Sequence, residues 1–446
     1  MTTSNWLIKG ATLVNEGQRF VGDLRIRDGL IAEIGQHLES LAAESIVAAE
    51  GLWLLPGMID DQVHFREPGL THKADIASES RACAAGGITS FMEMPNTKPP
   101  ALDRVSLEAK YALAAQSSVV NYAFYMGASN DNLEAIRAID PKATPGVKVF
   151  MGASTGNMLV DNPDVLDAIF QDTPVMIITH CEDTPMIDAN LAQVRERYGD
   201  DIPAREHPFI RSRAACIKST RLAIELARKH GTRLHVLHIS TEEELELFEP
   251  GPLSGKQITA ETCVHFLHFN ETDYERLGFL IKCNPAIKSE SDRQAIVKAL
   301  ADGRLDVLAT DHAPHLLAEK QNHYGSAPSG IPLVQYALQT ALERVFAGDL
   351  TLERVVEVVS HAPARLFDVQ GRGFLRQGYA ADLVLIDPQR PHLVSNSEVL
   401  SKCGWTPFDG VTLSTSIAAT FVNGQQVWDG SEVNPGVRGQ RLTFAR

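Results

Sequence analysis

Between residues 57 and 310 the chain repeats one unit: a short apolar run, a turn, then a stretch with helical spacing of apolar side chains. The apolar runs fall at 58–64, 88–94, 119–125, 147–151, 175–180, 234–239, 257–262 and 305–310. Helical patterns stand between them, as at 74–85, 107–115, 212–230 and 292–301. Eight strands in βα alternation over roughly 250–300 residues predict a TIM-type (β/α)8 barrel. A doubly wound parallel sheet uses the same elements, but no strand here leads into GxGxxG.

The two ends have a different texture. Residues 6–10, 11–14, 23–27 and 30–34 read as short strands, broken at Asn15-Glu16-Gly17 and at Asp28-Gly29, the latter a hairpin signal. After a helical stretch at 352–367, β patterns return at 371–374, 381–386 and 418–422, followed by Asn423-Gly424. Neither end is large enough to bury a core alone. The expectation is one small discontinuous β-sandwich domain built from 1–56 and 368–446, flanking a barrel over 57–367.

Composition narrows the class of partner. A net charge of −15 opposes general binding to nucleic acid or to an anionic membrane. No apolar run of about 18 residues exists, so no transmembrane helix is expected. Met1-Thr2-Thr3-Ser4-Asn5 lacks the basic start of a secretory leader. Six cysteines, none in a CxxC pair, read as reduced thiols of a cytoplasmic protein.

Four expected strands end in metal-competent side chains: His64, His180, His238 and, one residue beyond its strand, Asp311. A fifth carries Lys148 among apolar neighbours, where a lysine is disfavoured unless paired or chemically altered. Taken singly, each has a plainer reading: a hydrogen-bonded histidine, a helix-capping aspartate, a snorkelling lysine. His235, deeper in the strand of His238, fits the plain reading best. A barrel, however, brings strand ends together at one mouth, where imidazole and carboxylate suit zinc or a similar ion that activates water.

The segments His64-Phe65-Arg66-Glu67-Pro68-Gly69, Met94-Pro95-Asn96-Thr97, Gly146-Val147-Lys148-Val149-Phe150, Thr179-His180-Cys181-Glu182 and His235-Val236-Leu237-His238 come in a familiar order. Cys283-Asn284-Pro285, Thr310-Asp311-His312-Ala313-Pro314-His315, Pro328-Ser329-Gly330 and Lys402-Cys403-Gly404-Trp405 extend it. With this series the chain resembles the amidohydrolase superfamily, and within it the dihydroorotases. The resemblance implies one or two zinc ions, with Lys148 carboxylated to a bridging carbamate, His180 and His238 on one site, and His64 and Asp311 on the other. It implies that Asp311 is the general base and acid, and that His64, Arg66, Asn96, Asn284, His315, Ser329 and Gly330 hold the substrate. The implied reaction is the reversible hydrolysis of the cyclic amide L-dihydroorotate to N-carbamoyl-L-aspartate in pyrimidine synthesis. A homodimer is implied too, with association with aspartate transcarbamoylase as a further partner.

The sequence departs from that pattern at Gln62, where the family usually has the first histidine of His-x-His. An amide is a poorer zinc donor than imidazole, so the site of His64 and Asp311 is expected to be weaker. Ala286 and Lys288 depart from the family near Asn284. Two alternatives stay open: a hydantoinase or allantoinase with the same chemistry, and a non-catalytic scaffold for the transcarbamoylase.

Overall fold

The strands Met58–Val63, Ile88–Glu93, Asn121–Phe124 with Met126–Gly127, Gly146–Phe150, Met176–His180, Leu234–Val236, Ile258–Cys263 and Val307–Ala309 follow one another round a parallel barrel. This computed structural model describes residues 5–152 and 158–446; the first four residues, used above in the leader reading, lie outside it. The ring closes between its first and last strands. Val63 bridges His312 in parallel, and the Thr310 hydroxyl donates to Asp60 Oδ2 at 2.6 Å. Asp60 also accepts the Thr310 backbone N–H at 3.2 Å, so one buried carboxylate joins the two strands that must meet last.

Helices cover the outside and start where the sequence supplies caps. Asp75, Asp103, Asn162, Asp183, Ser212 and Ser289 each accept a backbone N–H from the first turn of the helix that follows. Gly231 and Gly303 end the helices Arg213–His230 and Glu290–Asp302 in the left-handed conformation that glycine adopts at least cost. Apolar faces of these helices and of the strands merge into one large core. No helix among the described residues is long and apolar enough to cross a membrane. All six cysteines are buried and free.

The two chain ends do share one sheet. Trp53–Pro56 pairs in parallel with Asn5–Asn15 on one side and antiparallel with Leu383–Asp387 on the other. Ser416–Val422 and Gln425–Trp428 extend it beyond Leu383–Asp387, and its apolar face carries its own core. The hairpins form at Asp28-Gly29 and at Asn423-Gly424, with φ of 52°, 83°, 51° and 74°.

Some expected elements differ. Residues 6–10 and 11–14 are one strand, Asn5–Asn15, with a register shift between Ile8 and Ala11 around the left-handed Gly10. Residues 371–374 are not a strand: Gly371 and Gly373 both have positive φ, and Phe374 instead stacks on the His361 ring at 4.5 Å. The strand expected to reach 239 stops at Val236, because His238 turns to φ 40°.

Candidate functional site

At the C-terminal ends of the strands lies a cavity of about 270 Å³. Gln62, His64, Arg66, Asn96, Lys148, His180, His238, Asn284, Asp311, His315, Ser329 and Gly330 all line it. Phe150, Ala313 and Pro328 complete the wall. The expected metal ligands and substrate contacts therefore line one space, although they span residues 62 to 330, while His235 and Lys288 lie outside its lining.

Two nitrogen and oxygen clusters occupy its floor. His180 Nδ1 and His238 Nε2 approach to 2.9 Å, and burial holds both rings below the ordinary imidazole pKa, His238 furthest because His180 adds to the effect. Nearby, His64 Nδ1 meets Asn96 Oδ1 at 2.8 Å, which makes Nδ1 the protonated nitrogen and turns the Nε2 lone pair into the cavity. That lone pair faces Asp311 Oδ1 at 3.2 Å. Two acceptors aimed at one point, beside a pair of converging imidazoles, fit a divalent cation. Lys148 is 1% exposed, with no carboxylate within ion-pair reach among the described residues; burial lowers its pKa to about 8.

Backbone strain gathers at the same mouth. Arg66, His238 and Asp311 have φ of 69°, 40° and 51°, a region that non-glycine residues rarely adopt and that must be held by surrounding packing. Burial by itself would raise the Asp311 carboxyl, but in the acid range where it titrates a protonated His64 and the neighbouring histidines take it down to about 2. Its Oδ1 accepts from Gln62 Nε2 at 3.1 Å, whereas Oδ2 has no protein partner among the described residues. Gln62 thus points its amide nitrogen at Asp311, and its oxygen lies 3.6 Å from Cys263 Sγ.

Arg66 makes part of the cavity wall cationic. Arg66 Nε donates to the Pro314 carbonyl at 3.1 Å and Nη2 lies 2.9 Å from His315 Nε2, while Lys73 Nζ lies 3.0 Å from His315 Nδ1. Burial and these two charges hold His315 neutral, its pKa far below the usual imidazole value. Burial likewise lowers Arg66 to about 10, still charged at neutral pH. Trp405 Nε1 fixes the His315 carbonyl at 2.8 Å.

A model of the amidohydrolase family matches residues 53–427. The chain belongs to the amidohydrolase family. A dihydroorotase of Halobacterium salinarum is 35% identical to this amidohydrolase over 431 residues, covering 93% of this chain and 98% of that one. An allantoinase of Bacillus velezensis is 29% identical, covering 98% and 97%. Among solved structures, an L-hydantoinase (dihydropyrimidinase) from Arthrobacter aurescens superposes with a TM-score of 0.92 at 28% identity, over 98% of this chain and 99% of that one.

Several supporting residues of this amidohydrolase were not singled out by the sequence reading. Glu182 Oε2 lies 3.0 Å from His180 Nε2 and accepts from Arg211 Nη1 at 2.6 Å, so it orients the imidazole from behind. Arg211 also donates through Nη2 at 3.0 Å to the Asn284 side-chain oxygen, whose amide nitrogen then reaches Ser329 Oγ at 3.0 Å. The buried Lys320 ammonium donates to the carbonyls of Lys282, Pro328 and Gly330, each at 2.9 Å, and so shapes the wall around Ser329. Gly330 permits that wall: a Cβ there would sit 2.4 Å from the Ala313 carbonyl oxygen. Lys73 carries no pattern of its own, lying in a loop between the first strand and the helix Ile76–Ala85.

Proposed function

We propose that this amidohydrolase is a dihydroorotase, interconverting L-dihydroorotate and N-carbamoyl-L-aspartate in pyrimidine synthesis. The observation that carries the reading is the charged guanidinium of Arg66 on the wall of the same cavity that His64, His180, His238 and Asp311 line. A substrate matched to this cavity bears a carboxylate at one end and a scissile ring amide at the other. The guanidinium fork offers a carboxylate two parallel charge-assisted hydrogen bonds. Asn96, whose oxygen is taken by His64, has its Nδ2 free of protein partners among the described residues and supplies a further donor. Hydantoin and allantoin lack that carboxylate.

His64, His180, His238, Asp311 and a carboxylated Lys148 would hold one or two zinc ions. A lysine with a lowered pKa has more of the neutral amine that combines with carbon dioxide, which supports the carbamate. Zinc, when bound, supplies Lewis acidity that favours water deprotonation and polarises an amide carbonyl. Asp311, ionised at neutral pH and with Oδ2 uncommitted, takes a proton from the attacking water and returns it to the departing ring nitrogen. Gln62 donates to the other Asp311 oxygen, so the carboxylate turns little between the two transfers. Asn284 and the backbone of Ser329-Gly330 orient the remaining ring amide groups. Cytoplasmic location, homodimerisation and association with a transcarbamoylase accompany this reading.

Purified enzyme with zinc, assayed in parallel on dihydroorotate, hydantoin and allantoin, tests the proposal. Turnover of dihydroorotate well above the other two is expected. Turnover of only the uncharged rings would overturn it.

A further inference from the structure

One layer beneath the cavity floor, the barrel interior holds a second convergence of ligand-type side chains. Asp61, His235 and Glu261, on the first, sixth and seventh barrel strands, each present a ligand atom, and all three atoms lie within 4.8 Å of one another. All three residues are fully buried. Nothing in the proposed hydrolysis uses them.

The hydrogen bonds fix which nitrogen of His235 carries its proton. The Thr259 hydroxyl donates to the Leu234 carbonyl at 3.2 Å, so its oxygen accepts from His235 Nδ1 at 2.8 Å. Nε2 is then an acceptor, aimed at Glu261 Oε2 at 3.2 Å and at Asp61 Oδ2 at 3.6 Å. Three acceptors therefore face one point. When both groups are ionised, both carboxylate oxygens of Asp61 and Oε1 of Glu261 lack a hydrogen-bond donor among the described residues; without a cation, burial pushes both carboxyls up and the two stand close enough to share a proton. Among the described residues no lysine or arginine lies within ion-pair distance of either carboxylate. Two dehydrated, unpaired carboxylates would carry a desolvation cost of several kcal/mol each.

We propose that Asp61, His235 and Glu261 form a structural divalent-cation site of the zinc class, separate from the centre at the cavity mouth. The charges balance, because a dication neutralises two carboxylates beside a neutral imidazole. The two separations from His235 fit as well: bonds of about 2.1 Å in a tetrahedral zinc site set ligands about 3.4 Å apart, between the 3.2 and 3.6 Å found here, and the third pair lies within 4.8 Å. Thr259 plays the outer role that fixes a ligating histidine's tautomer. Because all three residues are buried, the bound cation would hold three strands together from within. The inference does not depend on the identity of the substrate.

Zinc alone is the probe. Wild type, Asp61→Asn and Glu261→Gln are refolded with excess zinc, freed of loose metal and analysed for zinc per chain. The same is done in a His64→Ala/His180→Ala/His238→Ala background, which removes a ligand from each site of the catalytic centre. The expected result is one zinc fewer per chain in Asp61→Asn and Glu261→Gln than in wild type. In the mouth-deficient background, one tightly held zinc is expected, and Asp61→Asn should abolish it. Should the combined variant not fold, cobalt loading of the single variants decides: loss of one component of the wild-type cobalt absorption, with the mouth component kept, is expected. Equal metal content and equal cobalt spectra in wild type and Asp61→Asn would overturn the site and leave a proton shared between the carboxylates as the occupant.

Discussion

Replacing Arg66 by methionine gives the sharpest test of the cationic wall. Methionine keeps an unbranched stem in the same left-handed backbone, at φ 69°, so strain is little changed. It removes the guanidinium, which is 9% exposed and therefore poorly replaced by water. A hydrogen bond to a charged group contributes about 1.5–3 kcal/mol. Loss of one or both of the bonds to a substrate carboxylate should cost about 2–4 kcal/mol. That is roughly 30- to 1000-fold in kcat/KM. The penalty should be confined to dihydroorotate, because an uncharged hydantoin makes no such bond. Steady-state kinetics on both substrates, for wild type and Arg66→Met, read the difference directly. An equal loss on both would show that Arg66 maintains the loop through Pro314 and His315 and does not recognise the carboxylate, and the substrate argument would fail.

Two further predictions bear on other parts of the molecule. Gln62→His should raise zinc occupancy by supplying an imidazole beside His64, at the cost of the Gln62 bond that steadies Asp311; unchanged stoichiometry would refute the idea that Gln62 weakens a site. Away from the site, Asp292 accepts from Ser289, from the Glu242 backbone and from Arg213, and these bonds hold its pKa below the usual 3.8 despite burial. Its stabilising effect should be complete above pH 3.8 and fade as pH falls below, whereas Asp292→Ala, costing about 3 kcal/mol, should lack that component in urea melts across pH.

The barrel was legible because each strand is a short apolar run ending in a polar residue, and only one end of a barrel can gather such residues. The cavity lining was legible for the same reason. Lys73, Arg211 and Lys320 were not, since Lys73 and Arg211 lie in connecting segments and Lys320 ends the four-residue helix Leu317–Lys320, all too short to leave a periodic mark. Asp61 did leave a mark, as the second of two consecutive acids in a strand that is buried throughout. Its partners His235 and Glu261 could not be read, because adjacency across a barrel interior depends on stagger between strands. At residues 371–374, two glycines in a β-like run are turn formers, and the turn prevailed.

The shared sheet has a consequence for synthesis. Trp53–Pro56 leaves the ribosome long before Leu383–Asp387, the strand that covers its edge. Roughly 330 residues separate them, about 15–65 s of elongation. Throughout that interval the half-built sheet presents an unpaired apolar edge next to a barrel still missing strands, the kind of edge that invites pairing with another chain. Crowded nascent copies of this protein thus face their greatest hazard early, and the last strands to emerge are the ones that remove it.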